Sequence, residues 1–318
     1  MDKKILANDG IDLQGKALLE KAGFIVITEK VAQENLAAAI NENNYIALTV
    51  RSATKVRANI IDACPKLQLI GRGGVGMDNI DVEYAKSKGI EVVNTPASSS
   101  HSVAELVFAH LFGMVRFTYQ SNRKMPIVGN TEFDVLKKQY AGGTELKGKT
   151  LGIIGFGRIG QAVAKIGLGI GMKILAYDPF ISETTIALEI YGAEQVSIKI
   201  KTIGLDELLV NSDFITIHVP GGKMITKKEI SLMKPNACIV NAARGGVIDE
   251  QDLIEALNTN KIAHAALDVF ENEPTPNKDI LTHSKIALSP HIGAATEEAQ
   301  ERIGIELAEK IIHFFNAK

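Results

Sequence analysis

The chain is poor in cysteine, with only Cys64 and Cys238 among its 318 residues. Two isolated cysteines cannot form a disulfide framework, and the absence of a CxxC pair argues against a zinc or dithiol redox site. Both cysteines lie beside apolar residues, which predicts that they are buried packing residues. The sequence therefore predicts a protein of the reducing cytoplasm.

The sequence also lacks a charge bias and long apolar runs. Lys and Arg total 35 against 37 Asp and Glu, a net charge of −2, which argues against electrostatic binding of nucleic acid. No apolar run reaches the ~18 residues that span a bilayer, and the first residues contain no signal-peptide core. No HExxH or paired His/Cys spacing indicates a metal. We therefore expect a globular protein with a small-molecule partner and no nucleic acid, membrane or metal.

What the sequence does contain is two series of short apolar runs that alternate with amphipathic stretches. At roughly 150 residues per domain, the length predicts about two domains. Continuous apolar strands separated by helices predict parallel sheets covered by helices on both faces. The predicted strands are 4–8, 24–28, 45–50, 67–71 and 91–95 in the first series, and 150–155, 172–178, 213–219, 237–243, 263–269 and 285–289 in the second.

Helical patterns occupy the segments between these runs. One predicted helix ends at Val115 and begins at a capping-box spacing of Ser102 and Glu105. The polar, glycine-containing segment 129–149 is predicted to be a surface loop. The other predicted helices are 31–40, 56–63, 159–170 and 296–315.

The segment from Gly155 to Gly160 has the spacing of a dinucleotide-binding loop. It follows a predicted strand and opens a helix, and Asp178 ends the next strand. Gly155 would make the tight turn, Gly157 would let the backbone approach a pyrophosphate, and Gly160 would let the helix pack on the strand. Asp178 can accept hydrogen bonds from the ribose hydroxyls and would repel a 2′-phosphate, so NAD is favoured over NADP. The simpler alternative is a glycine-rich packing turn.

A second glycine-rich loop, Gly71 to Gly76, has the same spacing, but no acidic residue ends the next strand. We interpret it as an anion-binding turn whose backbone N–H groups could hold a carboxylate. Arg72 within it and Arg51 at an earlier strand end could meet a phosphate or carboxylate. Spacing alone leaves open that the glycines only shape a turn and that both arginines are solvated.

Three reactive side chains, Arg244, Glu273 and His291, each follow a predicted strand of the second series. Ligands of parallel sheets bind beyond the carboxyl ends of the strands, so the three could converge. His can remove a hydroxyl proton while hydride leaves for a nicotinamide, Glu can hold and polarise that imidazole, and Arg can clamp a carboxylate. The rival proton acceptor is His218, whereas His110 is interpreted as helix packing.

Simpler interpretations of the three residues also remain open from the sequence. Glu273 could lie in a turn before Pro274, Arg244 could act as a cap, and His291 could be a satisfied residue before the last helix.

Five motifs together carry a family resemblance: GRGGVGMDNID, LGIIGFGRIG, NAARGGVIDE, LDVFENEP and SPHIGAAT. Through them the chain resembles the D-isomer-specific 2-hydroxyacid dehydrogenases over nearly its whole length. The resemblance implies two doubly wound α/β domains with a cleft between them. These would be a flavodoxin-like substrate domain, residues 1–98 and 290–318, and a Rossmann NAD-binding domain, residues 99–289. It also implies a homodimer or homotetramer formed through the nucleotide domain, with the helix over 102–115 in the interface.

The resemblance further implies roles for individual residues. Arg244, Glu273 and His291 match the catalytic trio of the family. The implied cofactor contacts are Gly155, Gly157, Arg158, Ile159, Gly160, Asp178, Val75, Val219, Ala242 and Asp268. The implied substrate contacts are Arg51, Arg72, Gly74, Val75, Gly76 and Arg244.

Within the family, VRSATKV at 50–56 resembles the phosphoglycerate branch. This implies NAD-dependent oxidation of 3-phospho-D-glycerate to 3-phosphohydroxypyruvate in L-serine biosynthesis, with His291 as the general base. The alternatives are another D-2-hydroxy acid, such as D-lactate, glycerate or a different phosphorylated acid, and a non-catalytic NAD-sensing protein. Long-form members have a C-terminal serine-binding domain, which is not expected in this sequence, and the segment after Pro220 is shorter than usual.

Overall fold

The computed structural model describes residues 3–317, which form two compact units. The first unit runs to Ser100 and resumes at Ala294, whereas the second unit is His101–Gly293. The boundaries expected from the sequence, after residues 98 and 289, lie two and four residues earlier. Both expected boundaries lie in irregular segments, whereas the first observed boundary lies in the first turn of the helix that begins at Ser100.

The first unit is built on a five-stranded parallel sheet. Its order is β2-β1-β3-β4-β5, which is the flavodoxin-like arrangement. Each strand lies within two residues of a predicted one, so the predicted doubly wound sheet is confirmed. The strands are Lys3–Ala7 (β1), Phe24–Ile27 (β2), Ala47–Val50 (β3), Leu69–Arg72 (β4) and Glu91–Asn94 (β5).

Helices cover both faces of this sheet. They are Leu13–Lys21 (α1), Leu36–Glu42 (α2), Ala58–Ala63 (α3), Val82–Ser87 (α4) and, from the end of the chain, Glu297–Asn316 (α13). Along β1, Ile5 and Ala7 pack towards α1 and α13, whereas Leu6 packs towards α2 and α3. This alternation follows from the two-residue period of a strand. The helix predicted over 31–40 starts only at Leu36, because a 3₁₀ turn occupies Gln33–Asn35.

The second unit is built on a six-stranded parallel sheet. Its strands are Thr150–Ile154 (β6), Lys173–Tyr177 (β7), Phe214–Ile217 (β10), Ala237–Asn241 (β11), Ile262–Leu267 (β12) and Ile286–Leu288 (β13). The order is β13-β12-β11-β10-β6-β7, with every pair parallel. The chain therefore reverses its direction of winding between β6 and β10, and ligands of such sheets bind at this switch point.

Helices also cover both faces of the second sheet. They are Ser100–Val115 (α5), Thr118–Val128 (α6), Phe133–Gln139 (α7), Arg158–Gly169 (α8), Leu205–Asn211 (α9), Lys227–Leu232 (α10), Glu250–Asn258 (α11) and Lys278–Thr282 (α12). Helices α5 and α8 contribute to the core on one face, and α9 to α12 contribute to the core on the other. Within residues 3–317, no helix is long and apolar enough to cross a bilayer.

Two expectations about the segments around α5 are wrong. Segment 129–149 is not wholly a loop, since it contains α7, which buries Leu136. Ser102 does not cap α5, because the helix already begins at Ser100 and the Ser102 hydroxyl donates instead to the Gly293 carbonyl at 2.7 Å. A tertiary contact therefore overrides the local capping pattern.

A β-hairpin after β7 was not predicted. Glu183–Leu188 (β8) and Val196–Lys201 (β9) pair antiparallel and place Ile186 and Ile200 in the core that includes α8. The apolar alternation is present in the sequence, but it interrupts a strand–helix series. Thr202, just after the hairpin, forms a parallel bridge with Ala176 of β7.

Candidate functional site

The loop between β6 and α8 needs glycine at two positions. Gly155 has φ +89°, and a Cβ there would lie 2.4 Å from the His218 carbonyl oxygen. A Cβ on Gly160 would lie 2.2 Å from the Gly155 carbonyl oxygen. Both approaches are too close for any side chain, so the two glycines allow the tight turn and let α8 pack directly against it.

Gly157 has a different environment, which fits a bound dinucleotide. A Cβ at this position would meet no atom within 4 Å, so the backbone faces open space. Helix α8 begins at the next residue, Arg158, and its first N–H groups have no partners within the helix. Arg158 is exposed, whereas Ile159 packs against the core. The space beside a twelve-residue helix N-terminus suits the two negative phosphates of a pyrophosphate.

Asp178 follows β7 and is fixed against the glycine loop. One carboxylate oxygen accepts from the Phe156 N–H at 2.8 Å, and the other accepts from the Phe180 and Ile181 N–H groups at 2.9 and 3.1 Å. Oδ1 already accepts two hydrogen bonds, but Oδ2 accepts only one, so a ribose hydroxyl can still donate to the second lone pair of Oδ2. The charge would repel a 2′-phosphate, which favours NAD over NADP.

The other expected cofactor contacts differ in their position relative to the glycine loop. Val219 follows β10, and its methyl carbon lies 3.2 Å from the position of a Gly155 Cβ. Ala242 follows β11 and is half-buried against the core that includes α8. Val75 belongs to the first unit. Val219 therefore touches the glycine loop, and the cofactor role of Val75 stays a prediction.

The catalytic candidates follow three neighbouring strands and share one edge of the sheet. Arg244 comes after β11, Glu273 after β12 and His291 after β13. The first two loops are in contact, because a Cβ on Gly245 would lie 1.8 Å from the Phe270 carbonyl oxygen. The Phe270 N–H in turn donates to Glu273 Oε1 at 2.9 Å. The structure therefore brings the three loops together, as the strand positions predicted.

Glu273 and His291 form a direct pair. Glu273 Oε2 lies 2.8 Å from His291 Nδ1. A carboxylate only accepts hydrogen bonds, so Nδ1 carries the hydrogen, and Nε2 is the nitrogen that can take up or release a proton. The His291 side chain is 45% exposed, so Nε2 is accessible to a substrate hydroxyl.

Asp268 lies beneath the loop that carries His291. It is 2% exposed. Its Oδ1 accepts from the Ser289 hydroxyl at 2.6 Å and the Ile292 N–H at 2.9 Å, and its Oδ2 accepts from the Gly293 N–H at 2.9 Å. In this structure both oxygens hold the His291 loop, and the cofactor contact that the resemblance implies for Asp268 stays a prediction. The sequence analysis assigned no role to Ser289; the only available signal was its position as the first residue of the SPHIGAAT motif.

Arg244 is oriented by the turn that ends β11. The Asn241 side chain donates to the Arg244 carbonyl at 2.9 Å and accepts from the Ala243 N–H at 3.0 Å. The guanidinium Nη1 also donates to the Ala243 carbonyl at 2.6 Å. The half-buried arginine is therefore held in place before any substrate arrives, which reduces the entropy lost on binding.

His218, the rival proton acceptor, is a poor base. Burial lowers the pKa of His218 to about 3, so its ring stays neutral at physiological pH. Its Nε2 contacts the Thr216 hydroxyl at 2.9 Å, and its buried Nδ1 has no hydrogen-bond partner among residues 3–317. The accessible nitrogen of His291 is better suited to proton transfer.

Both cysteines are buried, and neither is suited to act as a nucleophile. Cys64 and Cys238 are free and buried, and burial raises the pKa of Cys238 to about 11. A thiol with a raised pKa is a weak nucleophile at neutral pH. Within residues 3–317, no group of three or more His, Cys, Asp and Glu side chains is arranged to hold a metal ion.

In the first unit, Arg51 is exposed at the end of β3. Its backbone N–H donates to Asp9 Oδ2 at 2.8 Å, and its carbonyl accepts from the Asn79 side chain at 2.8 Å. No ion-pair partner lies within 4 Å of its guanidinium among the described residues. The loop is therefore fixed, while the charge remains available to an anion.

The loop from Gly71 to Gly76 offers fewer free backbone N–H groups to an anion than the sequence indicated. The Gly73 N–H donates to the Val50 carbonyl at 2.9 Å, and the Gly74 N–H donates to the Thr95 hydroxyl at 2.7 Å. Only the Val75 and Gly76 N–H groups have no acceptor within residues 3–317. Arg72 Nη1 donates to the Gly73 carbonyl at 3.0 Å and lies over Gly74.

Two relatives that are similar to nearly the whole of this chain are named for different activities. D-3-phosphoglycerate dehydrogenase of Methanocaldococcus jannaschii is 44% identical over 97% of this chain and 56% of its own length. Hydroxypyruvate reductase of Thermotoga maritima is 43% identical over 97% of both chains. The chain therefore spans about half the length of the first of these proteins and nearly all of the second.

Among solved structures, cofactor (NAD⁺)-bound 3-phosphoglycerate dehydrogenase of Entamoeba histolytica is similar over 99% of this chain and 96% of that chain. It has a TM-score of 0.78 and 28% sequence identity. Residues 108–293 also match the family described as D-isomer specific 2-hydroxyacid dehydrogenase, NAD binding domain. This match, with the glycine loop and Asp178, confirms the prediction of NAD as the cofactor. The chain belongs to the D-isomer-specific 2-hydroxyacid dehydrogenase family.

Proposed function

We propose that the protein is an NAD-dependent dehydrogenase that oxidises 3-phospho-D-glycerate to 3-phosphohydroxypyruvate. The observation that carries this proposal is the 2.8 Å pair of Glu273 and His291, in the same unit as the NAD-binding loop. The relative from M. jannaschii supports the choice of substrate. We place the reaction in phosphorylated serine synthesis in the cytoplasm, where reducing conditions are compatible with two free cysteines.

The arrangement suggests how the chain's residues divide the reaction. NAD, when bound, supplies the acceptor for the hydride that leaves carbon 2 of the substrate. His291 Nε2 takes the proton of the hydroxyl on that carbon, so a carbonyl forms while the C–H and O–H bonds break. Glu273 accepts from Nδ1 and stabilises the imidazolium that results. Arg244 clamps the substrate carboxylate and orients carbon 2 for the transfer.

Arg51, Arg72 and the amides of Val75 and Gly76 are the proposed substrate contacts from the first unit. Arg51 supports a phosphorylated substrate, because its guanidinium has no ion-pair partner among residues 3–317 and could neutralise a phosphate. Glycerate and hydroxypyruvate form the second candidate pair. This alternative is favoured by the T. maritima relative, which is almost as similar and matches this chain from end to end.

Steady-state assays with Arg51→Leu would discriminate between the two candidates. We expect kcat/KM for 3-phosphoglycerate to fall about 30-fold or more, which corresponds to about 2 kcal/mol for the loss of a charge pair. For D-glycerate we expect little change. NADH absorbance gives both values, and Arg57→Leu is the matched control, since Arg57 is an exposed arginine of the same unit that pairs with Asp81.

Two results would contradict the substrate assignment. Wild-type protein that produces no more NADH from 3-phosphoglycerate than from D-lactate would exclude it. An equal loss of kcat/KM on both substrates in Arg51→Leu would mean that Arg51 does not contact the phosphate. A folded protein that binds NADH but reduces no 2-keto acid would instead support an NAD-sensing role.

We also propose a homodimer formed through the second unit. Its support is a set of exposed apolar side chains along α5 to α7, namely Phe112, Met125, Ile127, Phe133 and Val135. Such a concentration is typical of an interface. We expect sedimentation equilibrium to give a dimer for the wild type and a weaker one for Ile127→Asp. Tyr191→Asp, at an exposed hairpin residue, is the control, and a monomeric wild type at micromolar concentration would refute the proposal.

A further inference from the structure

Helix α5 supports the loop of His291 at two buried points. Near its start, the Ser102 hydroxyl donates to the Gly293 carbonyl at 2.7 Å. Two turns later, His110 Nε2 lies 2.8 Å from the Ser289 hydroxyl oxygen. The side chains of Ser102, His110 and Ser289 are each less than 10% exposed. Hydrogen bonds at this depth are costly to lose, because the partner left behind is not solvated.

The direction of each hydrogen bond follows from the chemistry of the groups. Asp268 accepts three hydrogen bonds from the loop, and one of its donors is the Ser289 hydroxyl at 2.6 Å. Serine has one hydroxyl hydrogen, so with that hydrogen given to Asp268, its oxygen must accept from His110. His110 is therefore the Nε2–H tautomer, and burial, which lowers the pKa of His110, keeps it neutral.

This chain of hydrogen bonds ends at a residue with an unfavourable backbone. His291 has φ +56°, in the left-handed region that non-glycine residues rarely adopt. Such a conformation is unfavourable and persists only when the surroundings enforce it. Asp268 enforces it through the N–H groups of Ile292 and Gly293, which immediately follow His291.

We propose that His110 is a positioning residue for the reaction: through Ser289 it orients Asp268, which holds the backbone of His291 in the reactive geometry. The inference rests on the proposed function, since it takes His291 as the residue that moves the proton. His110 itself touches neither substrate nor cofactor in this proposal. Its contribution is the N–H that lets the Ser289 hydroxyl point at Asp268.

Two substitutions of His110 test the proposal by kinetics. His110→Leu keeps an apolar body in the core but removes the donor, whereas His110→Gln offers an amide N–H of similar reach. We expect His110→Leu to lower kcat about tenfold or more, since a small misplacement of a reacting group has large effects. We expect the KM for NADH to stay within about twofold, and His110→Gln to recover most of kcat. His264→Leu is the matched control, because His264 is another partly buried histidine that bonds Tyr119 instead.

Amide hydrogen exchange tests the same proposal without turnover. In His110→Leu we expect the Ile292 and Gly293 N–H groups to exchange about tenfold faster or more, as the loop opens locally. The Phe180 and Ile181 N–H groups, held by Asp178, should keep their wild-type rates. His110→Gln should restore the slow exchange. The double variant Ser289→Ala/His110→Leu should lower kcat no further than Ser289→Ala alone, because both substitutions break the same series of hydrogen bonds.

Each outcome decides the question. The positioning role would be overturned if His110→Leu kept the wild-type kcat or the wild-type exchange rates of Ile292 and Gly293. It would also be overturned if exchange at Phe180 and Ile181 accelerated equally, because that result would indicate general destabilisation. Failure of His110→Gln to rescue would also overturn it. If the wild type turns over no 2-hydroxy acid but the two amides respond as expected, the proposed function fails while the support of the loop by His110 stands.

Discussion

His291→Ala should lower kcat by about 10²- to 10⁴-fold, the usual contribution of a positioned acid–base group. The substrate hydroxyl then has no acceptor for its proton, because Glu273 faces Nδ1 and not the substrate. NADH binding should survive, since the glycine loop and Asp178 belong to other strands. Steady-state kinetics combined with NADH fluorescence titration measures both quantities.

Two further variants make the His291 experiment interpretable. Alanine is strained at φ +56°, whereas asparagine tolerates this region, so His291→Asn separates the loss of the imidazole from the loss of loop geometry. His283→Ala is the control, since His283 is a histidine of the same unit that contacts Asn258. Retained turnover in both His291 variants would move proton transfer elsewhere, and a simultaneous loss of NADH binding would indicate a folding defect.

Arg244→Leu should lower kcat/KM for the hydroxy acid about 30- to 5000-fold, which corresponds to about 2–5 kcal/mol for breaking a desolvated charge pair. The substrate carboxylate would enter the site without its counter-charge and without a fixed orientation. Arg244→Lys should recover little, because an ammonium cannot form two parallel hydrogen bonds to a carboxylate. NADH affinity should not change in either variant.

The control for Arg244 is Arg123→Leu, which removes an exposed arginine of the same unit that lies over the Tyr119 ring. The hydroxy acid should be varied at saturating NAD, so that kcat and KM are separated. If Arg244→Lys had wild-type kcat/KM, a simple point charge would suffice, and the bidentate clamp would be wrong. If Arg244→Leu changed only NADH binding, the residue would belong to the cofactor site.

The sequence predicted those features that depend on short-range patterns. The strands, the glycine loop and the acidic end of β7 each repeat a local rule of period or spacing, so Gly155, Gly160 and Asp178 could be placed without coordinates. The order of β11, β12 and β13 then brought Arg244, Glu273 and His291 to one edge, because consecutive parallel strands are usually neighbours.

The remaining features depend on contacts between distant parts of the chain. His110 and Ser289 are 179 positions apart, and nothing in either local sequence indicates that they meet. Gly74 and Thr95 are 21 positions apart, and their hydrogen bond removes an amide from the predicted anion turn. Asp268 matched the expected motif, but the motif cannot show that both of its oxygens accept hydrogen bonds from the loop of His291.

Helix α5 has a side that faces the loop of His291 and a side that faces solvent. Its inner side supports the reactive loop through His110 and Ser102, while Phe112 on its outer side is 46% exposed. A movement of α5 along its axis would break both of these hydrogen bonds to the loop together. If the proposed dimer forms over this outer side, subunit association and turnover are coupled through one helix, because both then depend on the position of α5.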